Sequence, residues 1–468
     1  MTTADELAAG VSPVTEALAR YLAGAPDRPV PGQVAEKAKM HILDTVASIV
    51  AGSQQAAGQS AAAWLALTRP HEGTGSSTVL GHGTSAPLLT AALCNGLSAH
   101  AEETDDSHAP SLSHPGCATV PAGLAVAERL GAGGEQFIRA VVAAYDLGGR
   151  VGRALRAPAR DRAGSRWSSH GVVGTFCAAG AAGVLLGFDE ARTRYLFSYA
   201  SQLASGSTTW LRDAHHVQKA FVFAGGPALH GVLAASLVEA GLDGVADVFV
   251  GSPNWLEVLE PVTEPQWLGW ELGAEFEIMN ASIKKFPVGS PAQAALEAAI
   301  QVAAAGPVAV ADVADISVRL PAERALVVSA RKMPNINVQY LVAATLLDGG
   351  FTAAVARDEA RPGDERVRAL IARTELIPDP AMAGTGSASV TVRLADGSVR
   401  SCDVAAVRGT PSNPMTWAEV EAKSEDLLAE VLGPDGARQV CEIVRHLEEL
   451  PDVRQLTRLC VGLPRSAG

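Results

Sequence analysis

The run "GVVGTFCAAGAAGVLLG", residues 171–187, restricts the fold more than any other stretch. Its apolar positions follow a helical pattern, and its alanines and glycines let neighbouring helices approach closely. Such a segment belongs at the crossings of a compact helical bundle. Four more stretches repeat apolar positions at three and four: "VAEKAKMHILDTVASIVAG" (34–52), "SAPLLTAALCNGLSAHA" (85–101), "TVPAGLAVAERLGAGG" (119–134) and "GEQFIRAVVAAYDLGGRVGRAL" (134–155). Pro121 is expected near a first helical turn and Gly131 at a C-terminal stop. Residues 1–275 therefore read as a helical domain.

The pattern changes after about residue 275. "VADISVRL" (313–320) and "SASVTVRLADGSVRSCDVAAV" (387–407) alternate apolar and polar residues, and Asp396-Gly397 between two such runs predicts a hairpin. Helical patterns flank them in "SPAQAALEAAIQVAAAG" and "NVQYLVAATLLDGG". Residues 276–410 are thus expected to form an α+β module. After a Pro/Asn/Ser loop, residues 411–468 begin with "PSNPMTWAEVEAKSEDLLAEVLG" and read as a helical tail returning to the first bundle.

The composition, 48% hydrophobic and 19% charged, suits a large packed core and not disorder. A net charge of -13 argues against nucleic acid or an anionic membrane as partner, while leaving room for a local basic pocket that holds a small anion. Six cysteines without CxxC spacing point to buried thiols in a reducing compartment. The N-terminus lacks the pattern of a signal peptide, and no apolar run approaches the roughly 20 residues of a membrane span. A soluble cytoplasmic protein is expected.

Chemistry concentrates in "HAEETDDSHAPSLSHPG", residues 100–116, with three histidines and four carboxylates. Nine of the 11 histidines lie between His71 and His230. Carboxylates this close repel one another and favour an adjacent cation, which histidine supplies while also moving protons near neutral pH. The bland alternative is a solvated acidic turn. Ser-His-Pro-Gly implies a stiff turn that aims His114. Asp-Asp-x-His and His-x5-His also suit a divalent ion, but zinc spacings are absent and no metal ligands are expected. A GxSxG elbow, a phosphate loop and a dinucleotide fingerprint are absent as well.

The stretch "NGLSAHAEETDDSHAPSLSHPG" resembles the signature of the MmgE/PrpD family. The likeness continues in order through "VPAGLAVAERLGAGG", "SSHGVVGTFCAAGAAGVLLGFDE", "VQKAFVFAGGPALHGVLAASLVEAGLDG", "KKFPVGSPAQAALEA", "NVQYLVAATLLDGG" and "GTPSNPMTWAEVEAK". It implies a mainly α protein, with a large all-helical domain, an inserted smaller α+β lid and an active site in the cleft. It also implies a homodimer that needs no metal or organic cofactor and acts on small di- or tricarboxylates. The shared step is proton removal or carbon dioxide loss next to a carboxylate.

By the same resemblance His114 and His170 are the proton-transfer pair, and Lys219 holds a substrate carboxylate, although its spacing to the following glycine differs by about one residue. Glu103 stands where aspartate is usual, Asp105 and Asp106 match an aspartate pair, and Ser107 replaces threonine. Glu103 and Asp106 join the catalytic group. Asp105, Ser107, His108, Lys285 and Tyr340 contact substrate, and His100 and Asn95 shape the site. The family's lid motif usually carries histidine or cysteine where Ser290 and Gln293 lie here. The chemistry is expected to survive and the substrate to differ. A dehydratase or decarboxylase comes first, with an epimerase of a carboxylate as the alternative.

Overall fold

The computed structural model describes residues 10–462 apart from 73–74, 76, 156–166, 260–262 and 383–385. Helices predominate, and the chain divides into two compact units. One unit combines the chain up to Ala281 with the chain from Thr416 onward, and the other is Ser282–Met415.

The first unit contains α1 (Pro13–Ala23), α2 (Gly32–Gly52), α3 (Ala56–Glu72), α4 (Leu88–Ala99), α5 (Gly116–Leu130), α6 (Gly134–Ala154), α7 (Ser169–Leu185), α8 (Glu190–Leu203) and α9 (Val217–Glu239). Helix α7 carries the alanine- and glycine-rich run and is buried without a break from Gly171 to Val184. An apolar helix with no polar face has to be central, and α7 packs against α5, α6, α8 and α9. Its contact with α9 depends on Gly231, where an added Cβ would lie 2.4 Å from both Ala178 Cβ and Ala179 N. Phe176 and Phe197 fill the surrounding core, each contributing roughly 1.5–3 kcal/mol by burial.

Helix α5 ends on Gly131 in the left-handed conformation (φ 65°), as expected. Pro121 does not open that helix; it is the sixth residue, because the helix already starts at Gly116. A small antiparallel hairpin, β1 (Ser77–Val79) with β2 (Thr84–Ala86), also interrupts the helical reading of residues 1–275. Asn95 belongs to this hairpin: it accepts from Leu80 N at 2.9 Å and donates to Thr78 O at 2.8 Å.

Helix α9 corrects the expectation of no long apolar run. Its 23 residues are long and apolar enough to cross a membrane by length and composition, and most of them are buried inside the protein as a core helix. A π turn at Phe221–Gly225, and not a break, carries the run through Gly225, Gly226 and Pro227.

The second unit contains α10 (Gln293–Ala303), α11 (Val338–Asp348) and a four-stranded sheet of β3 (Val313–Pro321), β4 (Thr374–Asp379), β5 (Ala388–Leu394) and β6 (Val399–Val404). The strand order is β4-β3-β5-β6, with β3–β4 parallel and the other pairs antiparallel. The alternation read in the sequence becomes alternating burial along β5, and Asp396-Gly397 turns the chain between β5 and β6. Val390, Val392 and Tyr340 are part of one core.

The tail helix α12 (Trp417–Arg445) starts at a capping box, in which Thr416 caps Glu419 N and the Glu419 carboxylate accepts from Thr416 N at 2.8 Å. It bends at Gly433-Pro434. Lys39 ties the tail to α2 by donating to Arg445 O (2.9 Å) and Glu448 (3.0 Å).

Candidate active site

Helix α4 ends at His100, and residues 101–106 run on as a buried irregular segment. Buried backbone and charged side chains must find partners there. The carboxylates find them in two groups. Asp105 Oδ2 meets His100 Nδ1 at 2.9 Å and His114 Nδ1 at 3.1 Å. Glu103 is in contact with the Lys219 ammonium, and His216 Nε2 lies 3.6 Å from it. Asp106 instead accepts from Tyr145 Oη (2.6 Å) and Gly116 N (2.9 Å) and lies 3.0 Å from His41 Nδ1.

The histidines form a row. Ring centroids are 5.1 Å apart for His216 and His100, 5.2 Å for His100 and His114, and 5.0 Å for His114 and His170. Phe223, on the π turn of α9, stacks on His100 at 4.5 Å and on His170 at 3.6 Å. π turns recur at functional sites because they re-aim side chains within a helix. Lys219, two residues before that turn, lies 4.9 Å from the Phe223 ring and has its backbone N–H on Asp213 (2.8 Å). His170 enters from the first turn of α7 and is half-buried. His216 is held in a left-handed conformation (φ 59°), rare for a residue with a side chain.

An ionised carboxylate only accepts hydrogen bonds. Both imidazoles on Asp105 therefore present Nδ1–H to it, which turns Nε2 of each away from that carboxylate. For His114 that leaves Nε2 as the atom that takes or gives a proton. Burial lowers the pKa of His100 well below its ordinary value against the pull of Asp105, so it stays neutral.

Behind this row lies a second network. Burial opposes ionisation of Asp106, but its bonds to His41 and Tyr145 outweigh that and hold its carboxyl below the usual range. Burial lowers His41 to about 4 and raises Asp44 to about 6, with Lys423 opposing the latter. It also pulls Lys37 below the usual lysine range, with Asp106 and Asp44 opposing. Lys423, on α12, meets Asp44 Oδ1 at 2.5 Å and donates to Thr104 O at 2.7 Å. The tail helix thereby holds the carboxylate segment in place. The Lys423→Met variant is expected to lose roughly 1.5–3 kcal/mol of stability. The loss stays moderate because Asp44, already near 6, neutralises itself by taking a proton. Unchanged urea denaturation would contradict this.

His41 makes a pH prediction. Unfolded, it binds a proton near 6.5; folded, only near 4. Its contribution is therefore complete above pH 6.5 and is lost as pH falls from 6.5 to 4, by about 3 kcal/mol. Stability of the wild type relative to His41→Asn should fall by that amount over this window. Parallel pH profiles from urea titrations would count against it.

Several expected site residues lie elsewhere. Asp106 serves the second network and not the histidine row. His108 points to Glu277 (3.1 Å from Nε2) and Ser111 (2.7 Å from Nδ1). Asn95 holds the hairpin. Tyr340 is fully buried in the core of the second unit and donates its hydroxyl to Val355 O at 2.7 Å, so it offers no substrate hydrogen bond. Lys285, partly exposed in that unit, lies 3.3 Å from Glu297. Ser107 is half-buried beside Asp106. His216, Phe223, His41 and Tyr145 were not picked out from the sequence; "DAHHVQK" placed His216 three residues before Lys219, and its relation to His100 exists only in the fold.

The model of the MmgE/PrpD N-terminal domain matches residues 16–268, and that of the C-terminal domain matches residues 286–449. The chain belongs to the MmgE/PrpD family. Among curated proteins it is similar to the cis-aconitate decarboxylase of Homo sapiens, with 26% identity over 96% of this chain and 95% of the relative. The cis-aconitate decarboxylase-like protein oryM of Aspergillus oryzae is 26% identical over 96% of this chain and 97% of its own length. A cis-aconitate decarboxylase of Aspergillus terreus matches over 51% of this chain at 26% identity. Membership and relatives together point to an enzyme of the dehydratase or decarboxylase type found in the MmgE/PrpD family.

Proposed function

We propose that the protein is a cofactor-free lyase acting on a small di- or tricarboxylate, with His114 and His170 as its proton-transfer pair and Lys219 as the cation for a substrate carboxylate. The observation that carries this reading is the His114–His170 pair, 5.0 Å apart, with Asp105 behind His114 and the Lys219–Glu103 contact in the same cluster.

In a dehydration, one imidazole takes the proton next to the carboxylate and the other gives a proton to the leaving hydroxide, which departs as water. In a decarboxylation, carbon dioxide leaves with the bond broken towards carbon, and an imidazolium returns a proton to that carbon. Either way an enolate-like charge builds up next to a carboxylate, and the Lys219 ammonium is the positive group to stabilise it. The relatives named for cis-aconitate make that acid the first to try. Epimerisation shares the opening proton removal and remains the alternative, since Glu103 and Ser107 alter the family's usual side chains around it.

The test is turnover of cis-aconitate, 2-methylcitrate and related acids, followed for carbon dioxide, for a new alkene and for optical rotation. A lyase gives one of the first two. Inverted configuration alone would establish the epimerase. No change in any acid would sink both readings. We further propose that the protein is a cytoplasmic homodimer with no nucleic-acid or membrane partner; sedimentation at twice the chain mass is the expected result.

A further inference from the structure

We propose that His100, Glu103 and His216 form a binding site for a divalent transition-metal ion, which takes the place of the Lys219 ammonium on Glu103 and so inhibits the enzyme. Inhibition rests on the function proposed above; binding does not.

The three residues are buried, and one ligand atom from each lies within 4.8 Å of the others. Two imidazoles and one carboxylate form a borderline donor set, suited to Zn2+ or Co2+ and poorly suited to Mg2+ or Ca2+, which prefer all-oxygen shells. His100 is already oriented as a ligand. Its Nδ1 faces Asp105 at 2.9 Å, the carboxylate–histidine arrangement that fixes metal-binding imidazoles. Its Nε2 is buried and has no hydrogen-bond partner among the described residues, so the lone pair is left for an ion. Glu103 already holds a cation, the Lys219 ammonium, and His216 Nε2 stands 3.6 Å from the same carboxylate. A chelated divalent ion brings a second charge and two nitrogen bonds that the ammonium lacks. The neighbouring grouping of His100, Asp105 and His114 shares His100, and both its histidines already have Nδ1 on Asp105, so one ion per chain is expected.

The test uses full-length protein treated with chelator and titrated with Co2+ alone, read by its visible d–d absorption. The expected result is a band saturating at one equivalent per chain and erased by Zn2+. His216→Ala, His216→Gln and His100→Ala should each lose the band, with folding checked by circular dichroism. Lys219→Met should bind more tightly, because the competing ammonium is gone, and His114→Ala should keep the band. Anomalous diffraction from zinc-soaked wild-type crystals should place the ion between His100 and His216. A titration without saturation, a band that survives loss of both His100 and His216, or anomalous signal elsewhere overturns the proposal. If Co2+ binds as described but no carboxylate is turned over, the site stands and the lyase reading fails. If turnover occurs and Zn2+ binds without slowing it, inhibition is refuted.

Discussion

Replacing His114 or His170 by alanine is expected to cut kcat by a factor of ~10² to 10⁴, the usual worth of a positioned acid or base. Substrate binding should fall far less, because Lys219 remains. The two positions should not be equivalent. His114 is backed by Asp105 at 3.1 Å, whereas His170 is aimed by stacking on Phe223 at 3.6 Å. Asp105→Asn should therefore lower kcat through His114 by disturbing its tautomer. Phe223→Leu should lower kcat mainly through His170, its nearest ring, while also loosening the contacts of Phe223 with His100 and Lys219. His446 is the internal control: it is exposed near the end of α12, close to Glu442 and Glu449, and its replacement should leave the rate unchanged. Near-full turnover by a folded His114→Ala or His170→Ala variant would remove the proton-transfer pair from the account.

The second large effect concerns Lys219 and Glu103. Their contact is almost fully buried. Removing one partner of a buried ion pair costs about 3–5 kcal/mol, since the other charge loses its counter-ion in a poor solvent for charge. Lys219→Met is expected to lose that much stability and to lower kcat by about 10² to 10³ as well, the scale of losing one charge-stabilising donor. Adding Glu103→Gln should restore most of the stability, because the buried charge is then gone too, but not the rate. Urea titrations of the single and double variants, beside their turnover, separate the two effects. Recovery of rate along with stability would show that Lys219 is a structural cation only.

The helical character of the chain is legible in the small-residue run of α7 and in the apolar spacing of α2, α4, α5 and α6, because a buried helix face imposes a 3.6-residue period. The β5–β6 hairpin is legible for an equally local reason, the Asp396-Gly397 turn. The short hairpin β1–β2 was not, since three-residue strands are too brief to show a period. Pro121 misled because proline is most often found in a first turn, while the start of α5 is set by the Ser-His-Pro-Gly turn before it.

At the site, the gathering of charge at residues 100–116 was visible, but its partition was not. Nothing in "EETDDSH" says that Asp105 turns to His100 and His114 while Asp106, one residue on, turns to His41 and Tyr145 from α2 and α6. Those partners lie 39 to 65 residues away in sequence, so only the packed helices bring them together. The π turn at Phe221–Gly225 lies between Lys219 and the downstream glycines, and nothing local in the sequence marks it. A π turn holds about one residue more than an α turn. Lys219 lies just before it, in contact with Glu103, and Phe223 on the turn sits among the histidines. Tyr340 was assigned to substrate by the resemblance alone; Asn337 caps its helix, and the ring turns into the core, where the hydroxyl donates to Val355 O.

The central claim is that this histidine row moves a proton at a carbon next to a carboxylate. The most direct measurement is deuterium incorporation at that carbon when wild type, His114→Ala and His170→Ala are incubated with cis-aconitate and 2-methylcitrate in D2O and followed by NMR. The account predicts label in the wild-type product or recovered substrate, and little or none with either variant. Equal labelling by all three proteins, or none by the wild type with any acid of the panel, would contradict it.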